Sequence, residues 1–83
     1  MTSTRAIRIL YFAAFHEATG RAEEPWTSGA ETAAELYAEV AARYRFPWDR
    51  SILRVARNDE VVTWETEITD GDTIAFLAPF AGG

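Results

Sequence analysis

Residues 32–45 read TAAELYAEVAARYR, and this stretch decides the architecture because it carries the chain's clearest helical period. Thr32 followed three residues later by Glu35 is a capping-box signature, in which a hydroxyl and a carboxylate satisfy orphan N–H groups of the first turn. Leu36, Val40 and Tyr44 recur at i, i+4 and i+8, flanked by Ala33, Tyr37 and Ala41, and so make one apolar stripe. Glu31, Glu35, Glu39 and Arg43 populate the remaining surface. Arg43 and Arg45 stand where positive charge suits the helix dipole, and Pro47 is expected to stop the helix.

Outward from this helix the periodicity changes to two. Before it, residues 5–12 (RAIRILYF) predict a strand with Ile7, Ile9 and Tyr11 on one face and Arg8, Leu10 and Phe12 on the other. Residues 13–20 are expected to be a connection with one helical turn, closed by Gly20. Pro25 confines residues 21–28 to an edge strand or an extended loop. After the helix, Phe46 to Asp49 is expected to be a turn whose two aromatics anchor at the core edge. Residues 51–57 predict a strand burying Leu53 and Val55, Asn58-Asp59-Glu60 a turn, and residues 61–64 a returning strand. Thr69-Asp70-Gly71-Asp72 is a turn in which Gly71 is free to take positive φ. Residues 73–79 complete the set, with Ile74 and Phe76 on one face and Ala75 and Leu77 on the other.

The order is strand, strand, helix and three short strands. It predicts an α+β fold, a mixed sheet of about five strands with one main helix on one face and the outer face partly open, and it resembles a β-grasp domain. Residues 1–83 are expected to form a single domain, with residues 81–83 as a flexible tail. Nearly half of the 83 residues are hydrophobic and eleven are aromatic, enough for one core. With no cysteine, disulfides, thiolate metal sites and cysteine nucleophiles are excluded, and the one histidine, His16, reads as a solvated loop residue. The net charge of -5 argues against nucleic acid and anionic membranes. No stretch has the length of a signal peptide or a membrane span, so a soluble, cytoplasmic location is the expectation. All eight basic residues are arginines, so no side chain of one copy can form an isopeptide bond with the terminus of another.

The chain closes on Gly82-Gly83, a pair that chance places at a terminus roughly once in 200 chains. Without Cβ atoms, such an end can thread a narrow tunnel and present its carboxylate to an enzyme. The alternative is a frayed end. Segment by segment the sequence resembles the small subunit of molybdopterin synthase, a sulfur carrier of the ubiquitin-like superfamily. The resemblance lies in Ile9 to Ala13, Glu17 to Gly20, the helix from Thr32 to Tyr44, Val55 to Asn58, Val61, Ile68 to Phe76, and Pro79 to Gly83. Two positions depart from it: Ala78 stands where such proteins often carry the first of two prolines, and Phe80 is bulkier than the usual aliphatic residue.

The resemblance implies a carrier that is not catalytic by itself and binds no cofactor. A partner adenylyltransferase, similar to those that activate ubiquitin, uses ATP to adenylate the Gly83 carboxylate, with Gly82 beside it. Sulfur from a desulfurase or rhodanese-type donor then makes a thiocarboxylate. The tail enters the large synthase subunit and gives its sulfur to cyclic pyranopterin monophosphate. A carrier for another pathway (thiamine thiazole, cysteine or tRNA thiolation) stays open, as does a ubiquitin-like modifier without sulfur chemistry.

A second candidate site is apolar. Phe12 and Leu77 point away from the helix-covered face, and Val61, Pro79, Phe80 and Ala81 extend the patch toward the tail. Contiguous apolar surface of this kind marks a partner site. The competing expectation is that the loop around Trp48 folds over it. Glu23-Glu24 and Asp70-Asp72 read as surface acids, and Trp26, Trp48 and Trp64 as core-edge anchors rather than stacking platforms.

Overall fold

The apolar stripe of the central helix lies across one face of a five-stranded sheet in the computed structural model, which describes residues 3–79. Strand β1 (Arg5–Tyr11) is followed by helix α1 (Ala13–Thr19), strand β2 (Glu23–Ser28) and helix α2 (Ala33–Tyr44). Strands β3 (Arg54–Arg57), β4 (Glu60–Val62) and β5 (Thr73–Leu77) complete it, in the sheet order β2-β1-β5-β3-β4. The central pair, β1 and β5, is parallel; the other neighbours are antiparallel. Ile7, Ile9 and Tyr11 of β1, with Ile74 and Phe76 of β5, meet Ala33, Leu36, Tyr37 and Val40 of α2 in one buried cluster. Pro25 does lie on an edge strand, opposite Arg8.

Local chemistry sets the element ends. The Thr32 hydroxyl accepts the Glu35 N–H at 3.2 Å, as a capping box requires, but the Glu35 carboxylate reaches one residue further back, to the Glu31 N–H at 2.8 Å. The helix ends before Pro47 can stop it. Arg45 takes a left-handed conformation (φ +57°) and its N–H returns to the Ala41 carbonyl. That conformation costs roughly 1–2 kcal/mol for a residue with a Cβ. It turns Phe46 onto Phe15, where the ring centroids are 5.0 Å apart.

Four other expectations need correction. Residues 13–19 form a two-turn helix, not a single turn, ending on left-handed Gly20 (φ +74°). Its one fully buried side chain, Phe15, plugs the end of the core against Phe46, Trp48 and Phe76. Residues 50–52 form a 3₁₀ turn, because the Asp49 carboxylate accepts the Ser51 N–H at 3.0 Å, so the strand starts at Arg54. The returning strand stops at Val62, and Trp64 stacks instead on Phe76 at 6.2 Å, with the Arg50 guanidinium over the Trp64 ring, 6.0 Å from its centroid. The last strand likewise ends at Leu77 and not at Pro79.

Two acids expected on the surface are buried. Glu24 is 6% exposed, and its Oε1 accepts the hydroxyls of Tyr11 at 2.7 Å and Tyr44 at 2.6 Å. Asp72 is 5% exposed and accepts from the Thr69 N–H and hydroxyl, the Asn58 amide and Arg57 Nε. Burial alone would raise both carboxyls. At Glu24 the Tyr44 and Tyr11 hydroxyls and the Arg21 charge outweigh it, and at Asp72 the Thr69 and Asn58 donors with Arg57 do so; both are held below their ordinary values. Burial and the bond to Glu24 push the Tyr11 phenol up in turn.

This arrangement predicts acid sensitivity. A carboxyl depressed in the folded state stabilises it fully above its unfolded pKa, about 4, and loses that contribution as the pH falls through the folded value. Urea unfolding should therefore show stability declining below about pH 4. Glu24→Gln should flatten that slope and cost about 1–2 kcal/mol at neutral pH, because its bonds to the two phenols lose their charge. An unchanged acid profile in Glu24→Gln would remove Glu24 from the explanation.

Candidate functional site

The outer face of the sheet, opposite α2, is built by register. Leu10 of β1 pairs with Ala75 of β5, Ala75 with Ala56 of β3, and Ala56 with Val61 of β4. A single row of apolar residues thus crosses four strands, large at both ends and small in the middle. Two alanines make the floor of a dish. Phe12 follows β1 with its backbone still extended (φ -117°, ψ 154°), so it keeps the outward parity of Leu10. Ala13 then turns left-handed (φ +48°) and sends α1 back toward the core. Leu77, next to Tyr11's partner Phe76, stands beside Phe12 in the following row.

The result is a shallow depression of about 190 Å³ lined by Leu10, Phe12, Ala56, Val61, Ala75 and Leu77, with Thr73 and Asp59 at its lower margin. Phe12 is 51% exposed and Val61 61%. Charges form the rim. Arg54 is the cross-strand partner of Leu77 and is exposed, Arg8 pairs with Glu23 toward β2, and Asp59 sits in the Asn58-Asp59 turn, where both residues have positive φ.

Of the residues singled out in the sequence, Phe12, Val61 and Leu77 are brought together. Pro79 is exposed two residues past the end of β5, so the chain leaves the sheet at this dish. Phe80, Ala81, Gly82 and Gly83 lie outside the described residues. Trp48 does not fold over the patch: it packs on Phe15 and Phe46, on the core side. Trp26 and Trp64 also pack against the core, and His16 is exposed. The expectation had not assembled Leu10, Ala56 and Ala75 into a floor. Their outward parity was readable, but which strands are neighbours, and in what register, was not.

Chemically the dish offers apolar area rather than reactive groups. Its lining holds no nucleophile paired with a base, and among the described residues no group of three or more His, Asp or Glu side chains is placed to hold a metal. No helix among them is long and apolar enough to cross a membrane. The surface can bury apolar area against a partner and fix where the tail starts.

Comparison with known proteins agrees with this architecture. The family model described as the ThiS family matches residues 9–83. No curated protein matches the sequence. Among solved structures, a Pyrococcus furiosus protein assigned as molybdopterin converting factor subunit 1 is 26% identical, with 90% of this chain and 98% of that one covered and a TM-score of 0.72. A chain in the complex of subunits 1 and 2 of molybdopterin-converting factor from Helicobacter pylori is 25% identical, with 94% of this chain and 99% of that one covered and a TM-score of 0.62. Small archaeal modifier protein 1 of Methanosarcina acetivorans, 20% identical with 98% and 99% covered, has a TM-score of 0.76 and shows the fold alone. The fold is the ubiquitin-like β-grasp.

Proposed function

Because the chain belongs to the ThiS family, we propose that it carries sulfur on the carboxyl group of Gly83 as the small subunit of a molybdopterin synthase. Likeness to molybdopterin converting factor subunit 1 over nearly the whole chain carries this choice of pathway. The apolar dish at the base of the tail is what such a carrier needs, since a docked face fixes where the tail enters a partner's active site.

In this reading the chain supplies a handle and its partners the catalysis. The Gly83 carboxylate attacks the α-phosphorus of ATP on an activating enzyme, and pyrophosphate leaves. The terminal sulfur of a persulfide on a desulfurase or rhodanese-type donor displaces AMP from the acyl carbon to give an acyl disulfide. A thiol then cleaves its S–S bond, releasing the thiocarboxylate and forming a disulfide on the donor side. Gly82 and Gly83 pass a narrow channel because neither carries a Cβ. Phe12, Val61 and Leu77 seat the carrier on the large subunit, with Pro79, Phe80 and Ala81 leading into its active site. There the sulfur passes to cyclic pyranopterin monophosphate.

The test is discharge. Thiocarboxylated protein mixed with a molybdopterin synthase large subunit and cyclic pyranopterin monophosphate should return to the carboxylate form as the dithiolene appears. Discharge with a thiazole synthase or a cysteine synthase-like enzyme, and none with the large subunit, would place the carrier in another pathway. Amide conjugates to target lysines in place of a thiocarboxylate would make it a modifier.

A further inference from the structure

The geometry points to a modification site at Asp70–Gly71, where the peptide bond can migrate onto the Asp70 side chain to give isoaspartate. Ala6 of β1 is the clamp that keeps the site closed in the folded protein.

The chemistry is a ring closure. The Gly71 amide nitrogen bonds to the Asp70 carboxyl carbon, and the carboxyl's hydroxyl leaves with the amide proton as water. Water then opens the cyclic imide. Opening at the main-chain carbonyl leaves the chain running through the side chain, with no change in mass. A glycine after the aspartate hinders this closure least, having no Cβ. The turn nevertheless needs glycine there, because residue 71 has φ +90°. Asp70 and Gly71 are both exposed, so water reaches them.

Both reacting groups are tied to one residue of another strand. Asp70 Oδ1 accepts the Ala6 N–H at 2.7 Å, and the Gly71 N–H donates to the Ala6 carbonyl at 2.8 Å. Ring closure has to break both bonds, since the nitrogen must give up its proton and the carboxyl must leave the Ala6 N–H. Ala6 is the second residue of β1, and strand ends near a terminus are among the first segments to open. Arg5 pins this one, its Nη1 donating to the Ala30 carbonyl at 3.0 Å. Migration would add a carbon to the main chain between Thr69 and Asp72. The Thr69 N–H bonds the Asp72 carboxylate and the Asp72 N–H the Thr69 carbonyl, so the added carbon would disturb the turn that leads into β5.

The experiment incubates the full chain in buffer and follows isoaspartate in digested samples, by methylation with a protein L-isoaspartyl methyltransferase and S-adenosylmethionine and by peptide mapping. The folded protein should form it far more slowly than the same chain in denaturing urea, with the signal mapping to Asp70. Ala6→Pro removes the N–H that holds Asp70. Both backbone groups of Ala6 serve the turn, so the β1–β2 ladder keeps its own bonds. The variant should form isoaspartate about tenfold faster, as the loss of one bond to a charged group implies. A second measurement needs no variant. In the original protein, hydrogen exchange at the Gly71 N–H and isoaspartate formation should rise together as urea increases below the unfolding transition. Equal rates in the folded and unfolded chain, or a signal that maps to another aspartate, would overturn the proposal. So would an unchanged rate in a folded Ala6→Pro, or isoaspartate formation that does not follow Gly71 exchange.

Discussion

Deletion of Gly82 and Gly83 is expected to abolish sulfur loading completely while leaving the fold's stability within about 0.5 kcal/mol. The two halves of this expectation have separate causes. The buried cluster runs from Ile7 to Phe76, with Ala78 the last residue packed against it, so truncation after Ala81 removes no core contact among the described residues. Sulfur loading, in contrast, needs a glycyl carboxylate that can reach a partner's catalytic groups, and Ala81 would present a Cβ at a position two residues too short. Urea unfolding and thiocarboxylate formation, measured on the same preparation, check both halves. A truncated chain that unfolds would tie the tail to the fold, and one that still takes up sulfur would detach Gly83 from the chemistry.

The second large effect is at the dish. Leu77→Asp should weaken binding to the large subunit by about 100-fold, roughly 3 kcal/mol, because a docked partner would strip water from a carboxylate in an apolar setting. The free protein should tolerate the change. Leu77 is only half-buried, and Arg54 directly opposite is available as a cross-strand partner for the new charge. Titration calorimetry against the large subunit, alongside thermal unfolding, separates the two effects. Unchanged affinity with an intact fold would show that the carrier docks through some other face.

Much of this was legible in the chain because strand parity and one helical stripe are local properties. Ile7, Ile9 and Tyr11, and later Ile74 and Phe76, declare their faces by spacing alone, and all are buried as expected. The outward parity of Phe12 and Leu77 followed from the same rule. What could not be read depended on partners far away in sequence. Glu24 looks like a surface acid beside Glu23 until β2 lies against β1 and brings Tyr11 and Tyr44 to its carboxylate. Asp72 looks like half of a solvated turn until Asn58 and Arg57 arrive from the β3–β4 hairpin.

The ends of elements failed for a different reason. Short-range capping overrode period: Asp49 curled residues 50–52 out of strand geometry, and left-handed Arg45 ended α2 two residues ahead of Pro47. Helix α1 was underestimated because a single residue, Phe15, carries its burial and the rest of it is alanine-rich and solvated, leaving no stripe to detect. The dish itself combines both limits. Each of Leu10, Ala56, Val61 and Ala75 is unremarkable alone, and only the β1–β5–β3–β4 register lines them up.

The most direct test of the carrier reading is the intact mass of the full chain after incubation with ATP, a competent activating enzyme and a sulfur donor. The expected result is a gain equal to the exchange of one oxygen for sulfur, dependent on ATP and mapped to Gly83. An unchanged mass, with the same enzyme loading a known carrier in parallel, would contradict it and leave the apolar dish as a docking surface without a sulfur chemistry.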